Sequence, residues 1–428
     1  MTTRRRARRL GPWLFLALCL PGCAAMRRRA DDPDLRPAAD GFADTADGWH
    51  LGIRHIRPEQ PDPGKLPVVL CHGMGLNSTF WTIAGGNHLP NQLAARGYEV
   101  FIVDMRGSGA SHRDGLVGVV NRGLRETPLL EFGEGRWTMD DETKYDVPAV
   151  LDYVARATGK DRVNWVGHSL GGMLMLAYLE TSNRPERIAN FVAMGSPATL
   201  APAPHAELIR ANKGLRLMLR GISTGRIARP MMYVRLPGLE RIDRFYYTAA
   251  NVDRRTIERF YGYTLENPGR GALKQLETYL RTGHLVSADG KFDYANNLNR
   301  VTTPILVVAG EGDLLADIPS TLSTYYALGS KDKTLARYGR QDGHHADYGH
   351  CDIVWSRYAP TEIFPDVGDW LDRRQPRPGR RPSGSNSEGG PRVLPSPQGV
   401  EADDRPALEA VPQPIQLPEP DEAGVRQP

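Results

Sequence analysis

Ser169 lies in Gly167-His168-Ser169-Leu170-Gly171-Gly172, a G-x-S-x-G pattern. In a chain with 45 glycines the five residues alone say little. Their setting says more. Arg162 to Val166 reads as a buried strand, and Leu170 to Leu179 as a helix. A serine on a sharp strand-to-helix turn is exposed and ready to attack a carbonyl carbon. The turn is tight and strained, so the positions two before and two after it must lack a Cβ. The Ser169 hydroxyl then projects at a helix N-terminus, where the Leu170 N–H and the helix dipole favour a developing oxyanion.

A serine nucleophile needs a base, an acid to orient the base, and a second oxyanion donor. His72-Gly73-Met74-Gly75 follows the apolar run Pro67 to Cys71. Its glycine-bearing turn directs the backbone N–H of Met74 toward the oxyanion, and His72 reads as a structural histidine of that loop. Gly310-Glu311-Gly312-Asp313-Leu314-Leu315-Ala316-Asp317 follows the apolar run Pro304 to Ala309. Asp313 is the expected acid, Asp317 a cap or brace of the next helix, and Glu311 the weaker rival. His344, His345 and His350 come next. One of them is expected to take the serine proton, and position alone does not choose among the three. The order Ser, Asp, His along the chain is that of the α/β-hydrolases. This chemistry calls for no metal and no organic cofactor.

Other elements must carry these residues. Leu89 to Arg96 has helical spacing, Tyr98 to Val103 is an apolar run, and Glu142 to Thr158 is amphipathic despite Pro148. Arg187 to Met194 and Thr334 to Tyr338 read as further strands. Strands alternating with helices imply a mostly parallel sheet covered on both faces. In such sheets function sits beyond the carboxyl ends of the strands, which is where each motif above falls. The rhythm stops over residues 199–300, the expected place of a helical cap inserted after the sixth strand. The cap would hold Met218, Met231, Met232, Tyr233, Phe245, Tyr246, Tyr247, Phe260, Tyr261 and Tyr263. They read mostly as the cap's own core, and as a lining for an acyl chain in part. Residues 205–300 carry 17 Lys and Arg against 9 Asp and Glu. A solvated face accounts for this excess, with attraction to anionic lipid as the alternative.

The chain has 428 residues, 40% hydrophobic and 24% charged. That balance excludes a disordered chain, a collagen-like repeat and a polytopic membrane protein. Four cysteines cannot build a disulfide-dense scaffold, and no Cys/His spacing suits structural zinc. Cys71 and Cys351 flank two of the motifs and are expected as buried thiols, with a bridge between them as the alternative. The net charge of +4 includes Arg4, Arg5, Arg6, Arg8 and Arg9. Without them the balance turns slightly negative, and no nucleic-acid motif is present. Those arginines, followed by the short apolar run 11–22, read as an export signal, since a membrane span needs about 20 apolar residues. Leu20-Pro21-Gly22-Cys23 resembles a bacterial lipobox, in which Cys23 takes the lipid. Cleavage after Ala25 is the competing reading. The expected division is signal 1–22, tether 23–45, catalytic body 46–198 and 301–373, cap 199–300, and a Pro-rich disordered tail 374–428.

The motifs together resemble the acid lipases of the α/β-hydrolase fold, the gastric and lysosomal lipase group. The likeness rests on His72-Gly73-Met74 with Trp81, on Gly97-Tyr98-Glu99-Val100, and on Arg106-Gly107. Met139-Asp140-Asp141-Glu142 through Lys144-Tyr145-Asp146-Val147-Pro148-Ala149 is similar as well. Gly312 to Asp317 resembles the family's acid motif and points to Asp313. Tyr348-Gly349-His350-Cys351-Asp352-Ile353-Val354-Trp355 resembles its histidine motif and points to His350. Leu170 stands where the family commonly has Gln, and Asp104-Met105 also departs from its pattern.

The resemblance implies a serine carboxylic-ester hydrolase acting on small or lipid esters through Ser169, His350 and Asp313, with Met74 and Leu170 as oxyanion donors. The N-terminal signal and its lipobox-like run, for their part, imply an exported protein held at a membrane by lipid on Cys23. Acyl transfer on the same three residues is the alternative reading, and a non-catalytic lipoprotein scaffold a further one.

Overall fold

The computed structural model describes residues 39–115, 135–201, 243–376 and 392–393. The export signal, Cys23, and Met218, Met231, Met232 and Tyr233 lie outside the described residues.

Among the described residues ten strands form one sheet. They are β1 (Gly41–Asp44), β2 (Trp49–Ile56), β3 (Val68–Cys71), β4 (Val100–Val103), β5 (His112–Arg113), β6 (Val163–His168), β7 (Ile188–Met194), β8 (Ile305–Gly310), β9 (Lys333–Tyr338) and β10 (Arg392–Val393). The order is β1-β2-β4-β3-β6-β7-β8-β9-β10, with β5 on β2. From β4 to β10 every pairing is parallel, while β1, β4 and β5 each pair antiparallel with β2.

Alternation along each strand builds a core on both faces. Val69, Cys71, Trp165 and Phe191 point to one side, where the helices α2 (Val147–Thr158) and α3 (Leu170–Thr181) pack. Val68, Leu70, Val166 and Val192 point to the other, against α1 (Leu89–Ala95) and the later helix α8 (Ala359–Asp372). Helix α3 is buried from Leu170 to Glu180, so it has no polar side to show a helical period. Between β7 and β8 lie α4 (Arg254–Arg259) and α5 (Arg270–Thr282). The break in the strand rhythm expected at 199–300 falls there. Helices α6 (Ile318–Ala327) and α7 (Asp352–Trp355) complete the order before α8.

Three expectations need correction, and one strand was missed. The tether ends before 45, because Gly41–Asp44 is strand β1, fully paired with β2. The strand β2 was not foreseen, although buried Trp49, Leu51 and Ile53 alternate along it. Glu142 to Thr158 is not one regular helix. Residues Glu142–Asp146 form a wider turn, and α2 begins at Val147, so Pro148 sits in the first turn, where its missing N–H costs nothing. The tail from 374 is not wholly outside the fold. Arg374 binds Asp332, Gln375 accepts from the Leu66 N–H, and Arg392–Val393 pair with β9.

Among the described residues no helix is long and apolar enough to cross a membrane. Tyr247, Phe260 and Tyr261 are buried with Trp355 and Phe80 on one face of the sheet. They serve as core, as expected of most of the aromatic residues in that stretch.

Candidate active site

Ser169 joins β6 to α3 with φ 51° and ψ −120°. It has the only positive φ outside glycine among the described residues. A non-glycine residue holds this conformation only where its surroundings force it. The forcing is visible. A Cβ on Gly167 would meet the Gly171 carbonyl oxygen at 2.4 Å, and one on Gly171 would meet that of Cys71 at 2.4 Å. Helix α3 therefore starts in close contact with the end of β3. The Ser169 N–H donates to the Met194 carbonyl at 2.9 Å, which ties the turn to β7.

Asp313 follows β8. Its Oδ1 accepts from the N–H groups of Leu315 and Ala316, both at 2.8 Å. This leaves Oδ2 to meet His350 Nδ1 at 2.8 Å. Both side chains are buried. Gly195, just past β7 with φ 57°, lies against the pair, and a Cβ there would approach Asp313 Oδ2 to 3.2 Å. The main-chain oxygen of His350 accepts from His168 Nε2 at 2.8 Å. The loop carrying His350 is braced by Asp352, which accepts from the Gly349 and Thr248 N–H groups and from Asn251.

The other candidates are engaged elsewhere. His344 Nδ1 contacts the Gly339 backbone, and His345 is bound to Glu362. Glu311 pairs with Arg337, and Asp317 caps α6 by accepting from the Ser320 N–H at 2.9 Å. His72 donates from Nδ1 to the Gly73 carbonyl and accepts from the Met105 N–H at Nε2. Burial holds it below the usual histidine range, as a structural histidine requires. Cys71 and Cys351 are free and buried, and burial pushes both thiols well up.

A cavity opens beside the turn. Met74, Trp137, Glu142, Leu170, Glu266 and Pro268 are among its lining residues. Met74 and Leu170 thus stand together at the site. The segment that follows α4 reaches over it with Glu266, Asn267, Pro268 and Gly269.

A family model described as the α/β-hydrolase fold matches residues 67–356. The chain is an α/β-hydrolase.

This hydrolase has lipases among its relatives. It is 25% identical over 361 residues to the gastric triacylglycerol lipase of Mus musculus, covering 76% of this chain and 85% of that one. It is 31% identical over 182 residues to the lysosomal acid lipase/cholesteryl ester hydrolase of Homo sapiens, covering 41% of this chain and 43% of that one. Among solved structures, a membrane phospholipase A described as a bacterial virulence factor superposes with a TM-score of 0.51 at 16% identity. That match covers 85% of this chain and 97% of the other and speaks for the fold.

Three features of the hydrolase escaped the sequence. Arg106 is buried and grips Asp146 from Nε at 2.9 Å and Nη2 at 2.6 Å, with Asp47 on Nη1 at 2.8 Å. Asp104 receives the Ser78 and Ala110 N–H groups and so ties two loops beside the cavity. Glu142 is buried in the cavity wall with Oε2 unpartnered. A charged residue in a motif of unknown contacts gives no signal of such burial. The tolerated Pro148 was the one hint that the helix around Glu142 was irregular.

Proposed function

We propose that this hydrolase is a serine carboxylic-ester hydrolase of the lipase and esterase kind. The observation that carries the reading is the 2.8 Å bond between Asp313 and His350, beside a serine held at positive φ on a strand-to-helix turn. Lipases among the relatives support an apolar acyl ester as substrate.

In this reading Ser169 Oγ attacks the ester carbonyl carbon. His350 Nε2 takes the serine proton and then gives it to the leaving alcohol. Asp313 holds the imidazole with its Nδ1–H inward and stabilises the imidazolium that forms. The N–H groups of Met74 and Leu170 receive the tetrahedral oxyanion, each such donor contributing about 3–4 kcal/mol of transition-state stabilisation. Water repeats the attack on the acyl-enzyme and frees the acid. Leu170 in place of the family's Gln leaves this step intact, because the donor is a backbone N–H. Residues 199–300 act as the cap, and Trp137, Met74 and Pro268 offer the acyl chain apolar contacts at its edge.

A fluorophosphonate probe should label the full chain once, at Ser169, and Ser169→Ala should abolish both labelling and turnover of p-nitrophenyl esters. Retained turnover in that variant would exclude Ser169 as nucleophile. A series of esters of increasing chain length then separates a lipase from a small-ester esterase. From the N-terminal signal and the lipobox-like run we infer that the protein lies outside the cytoplasm, anchored through lipid on Cys23. Cys23→Ala should shift it from the membrane fraction to the soluble fraction, and an unchanged distribution would argue against the anchor.

A further inference from the structure

At one edge of the sheet β1, β2 and β5 run antiparallel, and their register aligns one row of side chains. Asp44 is directly opposite His50, and His50 is directly opposite His112. Directly opposed residues project from the same face of a sheet. Asp114 lies just past the end of β5 and reaches back to His50. The two imidazoles stack with centroids 5.0 Å apart. His50 Nδ1 lies 2.6 Å from Asp44 Oδ1, and its Nε2 lies 3.0 Å from Asp114 Oδ2. His112 Nδ1 lies 3.3 Å from the Ala110 carbonyl oxygen. One nitrogen from each histidine and one oxygen of Asp114 all fall within 4.8 Å of one another.

We propose that His50, His112 and Asp114 form a surface site for a divalent transition-metal ion of the zinc class, with Asp44 orienting His50 from behind. Two imidazoles and a carboxylate are a donor set that zinc accepts, with water in the fourth tetrahedral position. The tautomers fit. When Nδ1 of His50 donates to Asp44, its Nε2 turns a lone pair toward an anionic oxygen 3.0 Å away. Those two groups repel unless a proton or a cation lies between them. A proton is one solution, and the hydrogen bond to Asp44 does raise the affinity of His50 for it. A metal ion is the other. Bonds of about 2.0–2.2 Å at tetrahedral angles place nitrogen and oxygen about 3.3 Å apart, a small shift for an exposed Asp114. A carboxylate behind a ligating histidine is the common way to fix its ring, and the Ala110 carbonyl stands in that position for His112.

The site is separate from Ser169 yet linked to its cavity by the chain. The loop between β4 and β5 carries Met105, Arg106, Gly107 and Ser108, which line the cavity. An ion bridging β2 and β5 ties down the far end of that loop. Its effect falls on stability, since none of its ligands lines the cavity.

The test uses the full chain, stripped with a chelator and titrated with zinc chloride by calorimetry, with thermal unfolding followed in parallel. The wild type should bind one more zinc ion than His50→Ala/His112→Ala, and zinc should raise the Tm of the wild type alone. Asp44→Asn should keep the stoichiometry and weaken binding about 10–100-fold. Circular dichroism checks that each variant is folded before titration, and His112→Gln replaces the double variant should that one fail to fold. Absence of zinc binding to the wild type overturns the proposal. So does equal stoichiometry and affinity in the folded histidine variants.

Discussion

His168, the residue before Ser169, donates from Nε2 to the main-chain oxygen of His350 at 2.8 Å. The nucleophile turn and the histidine loop are thus joined directly, across a sequence separation of 182 residues. Burial, and then the neighbouring His350, keep the His168 ring neutral, far below the usual histidine range. Its Nδ1 is buried without a partner, and Phe80 packs on the ring at 4.5 Å. One net hydrogen bond is worth about 1 kcal/mol. His168→Ala should therefore lower kcat for a p-nitrophenyl ester roughly fivefold while KM stays close to the wild-type value. A raised KM with kcat unchanged would mean that His168 serves substrate binding and not the placement of His350.

The backbone of Ser169 stores strain. A non-glycine residue in such a region costs about 1–3 kcal/mol, and glycine removes most of that cost. Ser169→Gly should raise Tm by a few degrees while ester turnover disappears. Ser169→Ala keeps a Cβ at φ 51° and should leave Tm near the wild-type value. Differential scanning calorimetry of the two variants checks the contrast. A stabilised alanine variant would place the cost on the hydroxyl and not on the backbone.

Asp313 divides its two oxygens between structure and chemistry. Asp313→Asn keeps an acceptor for the Leu315 and Ala316 N–H groups, so the variant should fold. Its amide NH2 then faces His350 Nδ1 and selects the wrong tautomer. The kcat should fall about 10⁴-fold, as tautomer loss does in other serine hydrolases. Single-turnover measurements with an activated ester give the number, and a loss below tenfold would move the role to another acid.

Glu142 has a sign that can be measured. Burial, reinforced by the nearby Asp146, raises its carboxyl well above the ordinary range, while Arg106 pulls the other way. The folded protein then binds a proton that the unfolded chain releases. The stabilising contribution is complete below the unfolded carboxyl value of about 4.3 and is lost as pH rises above it. Glu142→Gln removes that dependence. Denaturant titrations from pH 4 to pH 8 should show the wild type losing stability relative to the glutamine variant as pH rises above the unfolded carboxyl value, until the buried carboxyl itself ionises. Parallel curves would mean that Glu142 is ionised in the folded state.

Much of the fold was legible because its strands are short apolar runs and its motifs sit at their ends. Val68–Cys71, Val163–His168 and Ile305–Gly310 are buried on both faces and look it in the sequence. The antiparallel edge was not. Strand β1 is four residues long with Phe42 and Asp44 exposed, and β5 is two. What makes such segments strands is the partner they pair with, and the sequence does not state the partner. The start of α2 was misplaced for a related reason. The wider turn at Glu142–Asp146 keeps an amphipathic pattern, so only the backbone shows the change.

By itself the sequence determined the chemistry of the parts: a serine between glycines after a strand, an acid after a later strand, and three histidines beyond it. It determined their order too, because the order of chemical groups is covalent. Position along the chain did not choose among the histidines; a family resemblance around Tyr348 to Trp355 pointed to His350, and which one faces the acid is a matter of space. The tertiary structure sets His350 against Asp313 and turns His344 toward Gly339 and His345 toward Glu362. It also made neighbours of Asp44, His50, His112 and Asp114, which no spacing in the chain announces. The physical reason is the same in both cases. A side chain's type is local, while its partner depends on where sheet register and loop closure bring distant backbone together.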